Sequence, residues 1–507
     1  MVEKKPEKVL GIDVKNRPAG MVKKLDVRPK LIVKKIVKKE SHDEKVSRSL
    51  RASVNEGTLN ASSSSIINTF VTPLALELKA TNAEIGMLSA VQDFASTVAQ
   101  IPGAKMTEYY PRKSIWLLSQ IMGRIIFILP IVLLPFLTLD HPVAVLIILM
   151  GLVSFFLGLR SPAWSSLMGD LVPLKVRGKY FGLRNAITGI AGVATTIAAG
   201  LLLTYYGFSF IFVIAIAMGA VSIIFFMRMY EPSFRKVFHY KHSFGFNPRG
   251  WGTSISVNKA LAIFTLYLFF MNFAVEVASP FYSVYMIRDL HIDYAWYALL
   301  ITLGAVARIA SFRYWGRLND RFGSRKILVV TGFSACFTPF FWLFASSIPE
   351  VALVRIFDGF IWAGLDQVVF NYLLDITPTS KRPQYVANSN FFSGWGTILG
   401  AIAGGFMAQA FEGSSFGLFH GLQILFLVSF VLRVLVLTIL VKIREIDVRN
   451  SLLVPLRYVF WQSVAVEPAH GMKNTIFYTF RYPEKFKKDL EGSVTKMKYR
   501  IRVRKVS

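Results

Sequence analysis

Long apolar runs recur through the middle of this 507-residue chain, among them IWLLSQIMGRIIFILPIVLLPFLTL at 115–139 and ILFLVSFVLRVLVLTILV at 424–441. A helix needs about 20 apolar residues to cross the hydrocarbon core of a bilayer. A chain in which such runs follow one another reads as an all-α polytopic membrane protein. Composition agrees: 17% of the residues are charged, where a soluble domain carries about a quarter.

Apolar windows between Gly, Pro and charge breaks predict twelve transmembrane helices, near 54–78, 84–106, 113–138, 142–168, 178–205, 208–229, 259–287, 293–315, 325–346, 350–375, 382–410 and 415–441. The links HP at 141–142, YYG at 205–207 and EGSS at 412–415 are short, so their flanking helices are antiparallel neighbours. Lys and Arg mark the cytoplasmic loops. With the N-terminus inside, those loops hold Lys105, Arg112, Lys113, Lys175, Arg177, Lys179, Arg313, Arg317, Arg321, Arg325, Lys326, Lys381 and Arg382, and the other face holds Lys79 and Arg288. The expectation is a cell-membrane protein with both termini cytoplasmic. It divides into a tail (1–51), a six-helix bundle (52–230), a linker (231–258), a second six-helix bundle (259–442) and a second tail (443–507).

The net charge of +28 does not indicate nucleic acid, because residues 1–51 and 442–507 each carry +9. Basic segments beside membrane spans are drawn to anionic headgroups. The stretch LIVKKIVKK at 31–39 suits either an amphipathic surface helix or a solvated arm. Cys336 is the lone cysteine, which leaves no disulfide framework or thiolate metal site. The seven histidines, from His42 to His470, form no cluster at mid-depth. No metal, cofactor or enzymatic centre is indicated.

The chain repeats itself. Asp170, Pro173, Arg177, Tyr180 and Asn185 in DLVPLKVRGKYFGLRN recur 205 residues later as Asp375, Pro378, Arg382, Tyr385 and Asn390 in DITPTSKRPQYVANSN. GRLNDRFGSRK at 316–326 has a partner in GAKMTEYYPRK at 103–113, in which Gly103, Arg112 and Lys113 match. Each copy falls at the same place in its half, so the spans form two pseudo-symmetric six-helix bundles.

The loop G-x-x-x-D-R-x-G-x-R-K after the second helix of a half resembles the signature loop of the major facilitator superfamily, as do the twelve spans, the long central loop and the duplicated D-x-x-P-x-x-x-R loops. Physically, Gly316 lets two backbones approach, Asp320 suits a neighbouring helix N-terminus, Gly323 permits a left-handed turn, and Arg321, Arg325 and Lys326 keep the loop inside. The resemblance implies that this loop helps latch a cytoplasmic gate, with Asp320 facing the helix start near Arg177 and Gly178. A turn that only anchors topology is the alternative. Asp170 with Arg177, and Asp375 with Arg382, or each crossing to the other bundle, are expected either to switch between states or to staple their loops.

The resemblance also implies a central cavity lined by the first, fourth, seventh and tenth helices. On the tenth, Arg355, Asp358, Trp362 and Asp366 fall within about 80° of one another at 100° per residue. On the seventh, Asn272, Glu276, Ser279 and Ser283 form a polar stripe. The first carries Asn60, Ser64, Asn68 and Thr72, and the fourth a small-residue stripe of Ser154, Gly158, Ser161 and Ser165. Small stripes also serve helix packing, and Arg355 with Asp358 also reads as an internal pair easing insertion. Glu276 has no basic residue within a turn of its own helix. A carboxylate there is costly as an anion, which suits uptake and release of a proton. Asp93 and Arg124 are expected to pair across the first bundle, with proton relay as the rival reading. The resulting expectation is a monomeric, proton-coupled secondary transporter of a small-molecule substrate. The alternatives are a passive facilitator and a transporter-like sensor that does not translocate.

Overall fold

The computed structural model describes residues 42–133, 141–173, 177–231, 259–377, 382–443 and 460. From Val46 onward they belong to one compact unit. The helices are α1 (His42–Glu77), α2 (Asn82–Tyr109), α3 (Arg112–Leu133), α4 (Pro142–Leu171), α5 (Arg177–Met227), α6 (Lys259–Glu276), α7 (Ser279–Val284), α8 (Tyr294–Phe322), α9 (Ser324–Trp342), α10 (Ile348–Ile376), α11 (Arg382–Ala410) and α12 (Leu422–Val441). A short antiparallel hairpin of β1 (Ser415–Phe416) and β2 (Phe419–His420) precedes α12. The two basic tails and the linker lie almost wholly outside the described residues, as do Lys175 and Lys381.

Three boundaries depart from the hydropathy reading. α1 starts at His42 instead of 54, and its polar extension is packed: Ser49, Ser53 and Glu56 are buried. Tyr230 N–H donates to Ser49 Oγ at 2.7 Å, Ser53 Oγ donates to Met168 Sδ at 3.5 Å and Glu56 pairs with Arg184, so polar residues are buried where hydropathy does not register them. α5 carries both the fifth and the sixth passages. The chain reverses at Gly207, whose φ of 77° and ψ of 175° are open to glycine and costly for other residues. The seventh passage breaks after Glu276, because Pro280 has no N–H to give to the Glu276 carbonyl and its ring crowds that oxygen. α7 and a π-turn (Tyr285–Asp289) complete the crossing.

Six helical stretches are long and apolar enough to cross a membrane on length and composition alone, including Tyr180–Met227, which is long enough for two passages. α1, α2, α3, α9 and α10 fall outside that group, and all of these but α9 carry an interior charge: Glu56, Asp93, Arg124 and Arg355.

The core explains how the halves sit. At the end where α2 begins, one apolar cluster takes residues from both halves, among them Phe70, Ile85 and Phe212 with Phe281, Tyr297 and Trp342. At the Asp320 end it is replaced by two separate clusters. One is built on Trp116, Met168 and Phe226 of the first half, the other on Phe264, Trp315, Leu328 and Tyr372 of the second. Hydrogen bonds join the halves at the shared end. Asn82 Nδ2 donates to Ala408 O at 3.2 Å and to Glu412 Oε2 at 3.4 Å. Ala83 N–H donates to Gln409, Tyr294 Oη to Glu77 and Tyr297 Oη to Thr69 O. The seam continues down α2 and α11 through Ala90, Ile398 and Ala401 to an edge contact of Phe94 with Trp395.

Small residues let the helices meet backbone to backbone, as they do in lipid-embedded bundles. Gly396, Gly400 and Gly404 of α11 lie on the carbonyls of Phe269 and Phe273 in α6 and of Val277 just beyond it. Gly158 of α4 rests on Ser96 O of α2, and Gly359 of α10 on Gly304 O of α8. The last two contacts are the same packing in the two halves.

Candidate functional site

Glu276 is the last residue of α6, at the break imposed by Pro280. Irregular backbone at mid-membrane is where transporter folds of broken helices bind ions and substrates. The charged groups that act on Glu276 are Asp93 of α2, from the other half, and Arg433 of α12. Arg433 is buried at 1% exposure, and its Nη1 donates to Ala335 O at 2.8 Å. Glu276 therefore has a cation nearby, supplied by another helix.

The expected Asp93–Arg124 pair is corrected by the structure. Arg124 turns away, with Nη2 donating to Asn60 Oδ1 at 3.4 Å and its guanidinium against bare backbone at Gly219. Asp93 faces the half-interface instead. Helical periodicity orders residues on one helix but does not fix which neighbour each face meets.

Among the described residues each half holds a cavity. The larger, about 310 Å³, lies in the second half among Tyr267, Asn272, Trp362, Asp366, Asn390 and Ser393. Asn272 Nδ2 donates to Ser393 O at 3.3 Å, and Asp366 is held by the Arg308 guanidinium of α8. The expected single stripe on α10 is thus divided. Trp362 and Asp366 reach this cavity. Arg355 and Asp358 pair with each other at 3.6 Å, Thr338 Oγ1 donates to Asp358 at 3.2 Å, and Arg355 packs on Gly304. The smaller cavity, about 30 Å³, lies in the first half and is lined by Ser64, Asn68, Gln92, Gln120, Arg124 and Ser154. Of the small stripe on α4, Ser154 lines a cavity and Gly158 packs. On the seventh passage, Ser283 accepts from Tyr297 Oη at 3.1 Å and so serves the sealed end.

The loops at the Asp320 end work within each half. Arg112 Nη1 donates to Asp170 Oδ2 at 2.5 Å and to Ser166 O at 3.0 Å. Lys113 Nζ donates to Met227 O at 2.6 Å and Met229 O at 2.9 Å. In the second half Ser324 Oγ donates to Asp375 Oδ2 at 2.7 Å and Arg325 Nε to Ile443 O at 2.6 Å. Each repeat thus ties its second loop to the end of its fourth and of its sixth passage. Two expectations change. Asp170 pairs with Arg112, not Arg177, because Arg177 is drawn to the free carbonyls ending α4, Gly169 O at 2.6 Å and Val172 O at 3.4 Å. The Arg382 side chain lies outside the described residues. Asp320 is exposed and has no hydrogen bond or ion pair among the described residues, so its expected contact with the Arg177–Gly178 helix start is not made while the halves are apart at this end. Gly316 packs on Gln367, Gly323 has the positive φ expected of it, 84°, and Arg321 lies over Phe322.

Sequence reading alone passes over Arg160, Arg184, Arg308 and Arg433. The signal is present: FFLGLRSPAW and FLVSFVLRVLVL each hold one cation in an apolar run, and such a residue is a functional suspect by default. Among the described residues no three His, Cys, Asp or Glu side chains gather as a metal site.

Comparison with known proteins fits this geometry. The family model described as Major Facilitator Superfamily matches residues 57–284 and 264–457. An uncharacterized MFS-type transporter of Bacillus subtilis (strain 168), YuxJ, is 22% identical over 219 residues, 43% of this chain and 49% of that protein. The chain thus spans about half the length of the curated relative it matches. A point mutant of the nucleoside transporter NupG superposes with a TM-score of 0.64 at 12% identity over 78% of this chain and all of its own. A bacterial homolog of the human lysosomal transporter Spinster, in an inward-facing and unoccupied conformation, gives 0.58 at 14% over 83% of this chain and 98% of its own. A D-xylose–proton symporter gives 0.60 at 12% over 79% and 97%. These solved structures share the fold of two six-helix halves. The chain belongs to the Major Facilitator Superfamily, a family of membrane transporters.

Proposed function

We propose that this chain is a secondary active transporter that carries a small solute by alternating access and couples the movement to protons at Glu276. One observation carries the reading. A core shared at the Asn82 end divides into two separate cores at the Asp320 end, and Glu276 ends α6 at a helix break with Asp93 of the other half as a charge that bears on it. A carboxylate at a half-interface and at a helix break is placed to link its protonation to which end is open.

The asymmetry of Lys and Arg supports a cytoplasmic Asp320 end; in this reading the structure is the inward-facing state of a monomer in a cell membrane, with its basic tails near anionic headgroups. Asn272, Trp362 and Asp366 of one half and Ser64 and Asn68 of the other are the substrate contacts in this reading. Closing the Asp320 end brings Asp320 towards the Arg177–Gly178 helix start, which is the latch.

The test is flux into proteoliposomes of a solute first identified by thermal shift. Accumulation above the outside concentration is expected with a pH gradient and is expected to vanish in Glu276→Gln. Gradient-driven accumulation that survives in Glu276→Gln removes the coupling assignment. Equilibration without accumulation, in the native protein, makes the chain a facilitator.

A further inference from the structure

Among the described residues the first half holds more buried positive charge than its own residues balance. Arg124, 8% exposed, and Arg160 each donate to one neutral atom, Asn60 Oδ1, at 3.4 Å. Gln120 Nε2 donates to that same oxygen at 3.2 Å, while its own Oε1 accepts from Arg160 Nη1. Arg160 also lies 5.5 Å over the Trp116 ring. The carboxylate in reach is Glu56, and it is engaged by Arg184 at 3.3 Å, which lies 4.7 Å over Trp164. Three guanidiniums thus surround one carboxylate and one amide oxygen. Bare backbone at Gly219 accommodates Arg124; a Cβ there would meet its Nη2 at 2.7 Å.

Uncompensated cations in a low-dielectric interior are costly. Paired planar guanidiniums match the two oxygens of a carboxylate or the oxygens of a phosphate. The donors converge beside the small cavity that Arg124 and Gln120 line with Ser64, Asn68 and Ser154. Its volume of about 30 Å³ fits an oxyanion group and leaves the rest of a solute on the side of Asn68, which is exposed.

We propose that Arg124, Arg160, Gln120 and Asn60 form an oxyanion subsite, and that the transported solute carries a carboxylate or phosphate group. The second clause rests on the transport reading; the binding itself does not. Asn60 Oδ1 holds the position of an anionic oxygen, and the solute's oxygens take over the hydrogen bonds it accepts.

Thermal unfolding of the purified full chain tests this, with sodium chloride, sodium phosphate, sodium succinate and neutral succinamide as probes at matched ionic strength. Phosphate or succinate is expected to give a saturable rise in Tm of about 2 °C that chloride and succinamide do not give. A response to succinate alone identifies a carboxylate, and one to phosphate alone a phosphate. Arg124→Gln and Arg160→Gln should each abolish the rise. Asn60→Asp, which supplies a built-in carboxylate, should raise Tm in chloride and cancel the response, and it serves as the readout if the arginine variants do not fold. Equal Tm in all four probes overturns the subsite, and so does a response that Asn60→Asp retains. The measurement uses no gradient and no flux, so its failure is separate from failure of proton coupling.

Discussion

Gly86 of α2 lies so close to α11 that a Cβ on it would stand 2.6 Å from Gly405 Cα and 2.6 Å from Ala401 O. The contact joins the two halves, so its tightness belongs to the sealed end and not to either bundle alone. Gly86→Val should disfavour this state by about 1–3 kcal/mol through overpacking, roughly tenfold in population for each 1.4 kcal/mol. Spin labels at Glu108 and Arg317, exposed residues on opposite halves at the Asp320 end, report the outcome. Their distance distribution should move to shorter values in Gly86→Val, and an unchanged distribution contradicts a two-state rocking of the halves.

The matching contacts of Gly158 on Ser96 O and Gly359 on Gly304 O predict a different phenotype. They lie inside each half and persist through any rocking. Gly158→Ala and Gly359→Ala should each cost about 1–3 kcal/mol and leave the balance of states alone. Ser165→Ala, on an exposed neighbour in the same expected stripe, should stay within about 0.5 kcal/mol. Thermal melts decide this; equal losses at Gly158 and Ser165 would mean that the stripe does not pack as described.

Glu56 and Arg184 form a buried pair at 3.3 Å, with side-chain exposures of 1% and 12%. Removing one partner strands the other charge. Glu56→Gln should lower stability by about 3–5 kcal/mol, and Glu56→Gln with Arg184→Gln should recover part of it. The comparison is made on chemical or thermal unfolding of the purified protein. A double variant no more stable than Glu56→Gln alone shows that the pair is not what is lost.

What can be read from the sequence is local. Runs of apolar residues mark the passages because crossing lipid is a property of one helix. The repeat is visible because Asp170 and Asp375 begin the same motif. Glu276 stands out as a carboxylate in an apolar stretch, whereas the break that Pro280 imposes beside it is not registered by hydropathy. Pairing is not legible. Arg124 goes to Asn60 and Asp93 to the half-interface because of how α2 and α3 are rotated against their neighbours, and periodicity within a helix carries no such information. Arg112 with Asp170, 58 residues apart, is likewise set by the start of α3 and the end of α4 arriving at one place. The start of α1 escapes a hydropathy reading because its buried residues, Ser49, Ser53 and Glu56, are themselves polar.

Arg433 of α12 is the cation that bears on Glu276 of α6, and it is held at 1% exposure with Nη1 donating to Ala335 O. If Arg433 serves chiefly as the cation for Glu276, losses from Glu276→Gln and Arg433→Gln should not add. Groups in one network show coupling energies of about 0.5–3 kcal/mol, whereas independent sites add within about 0.5 kcal/mol. Unfolding of the native protein, both single variants and the double variant gives the coupling directly. A value within the additive range would assign Arg433 to the packing of α12 on α9, through Ala335, and leave Asp93 as the charged group that Glu276 answers to.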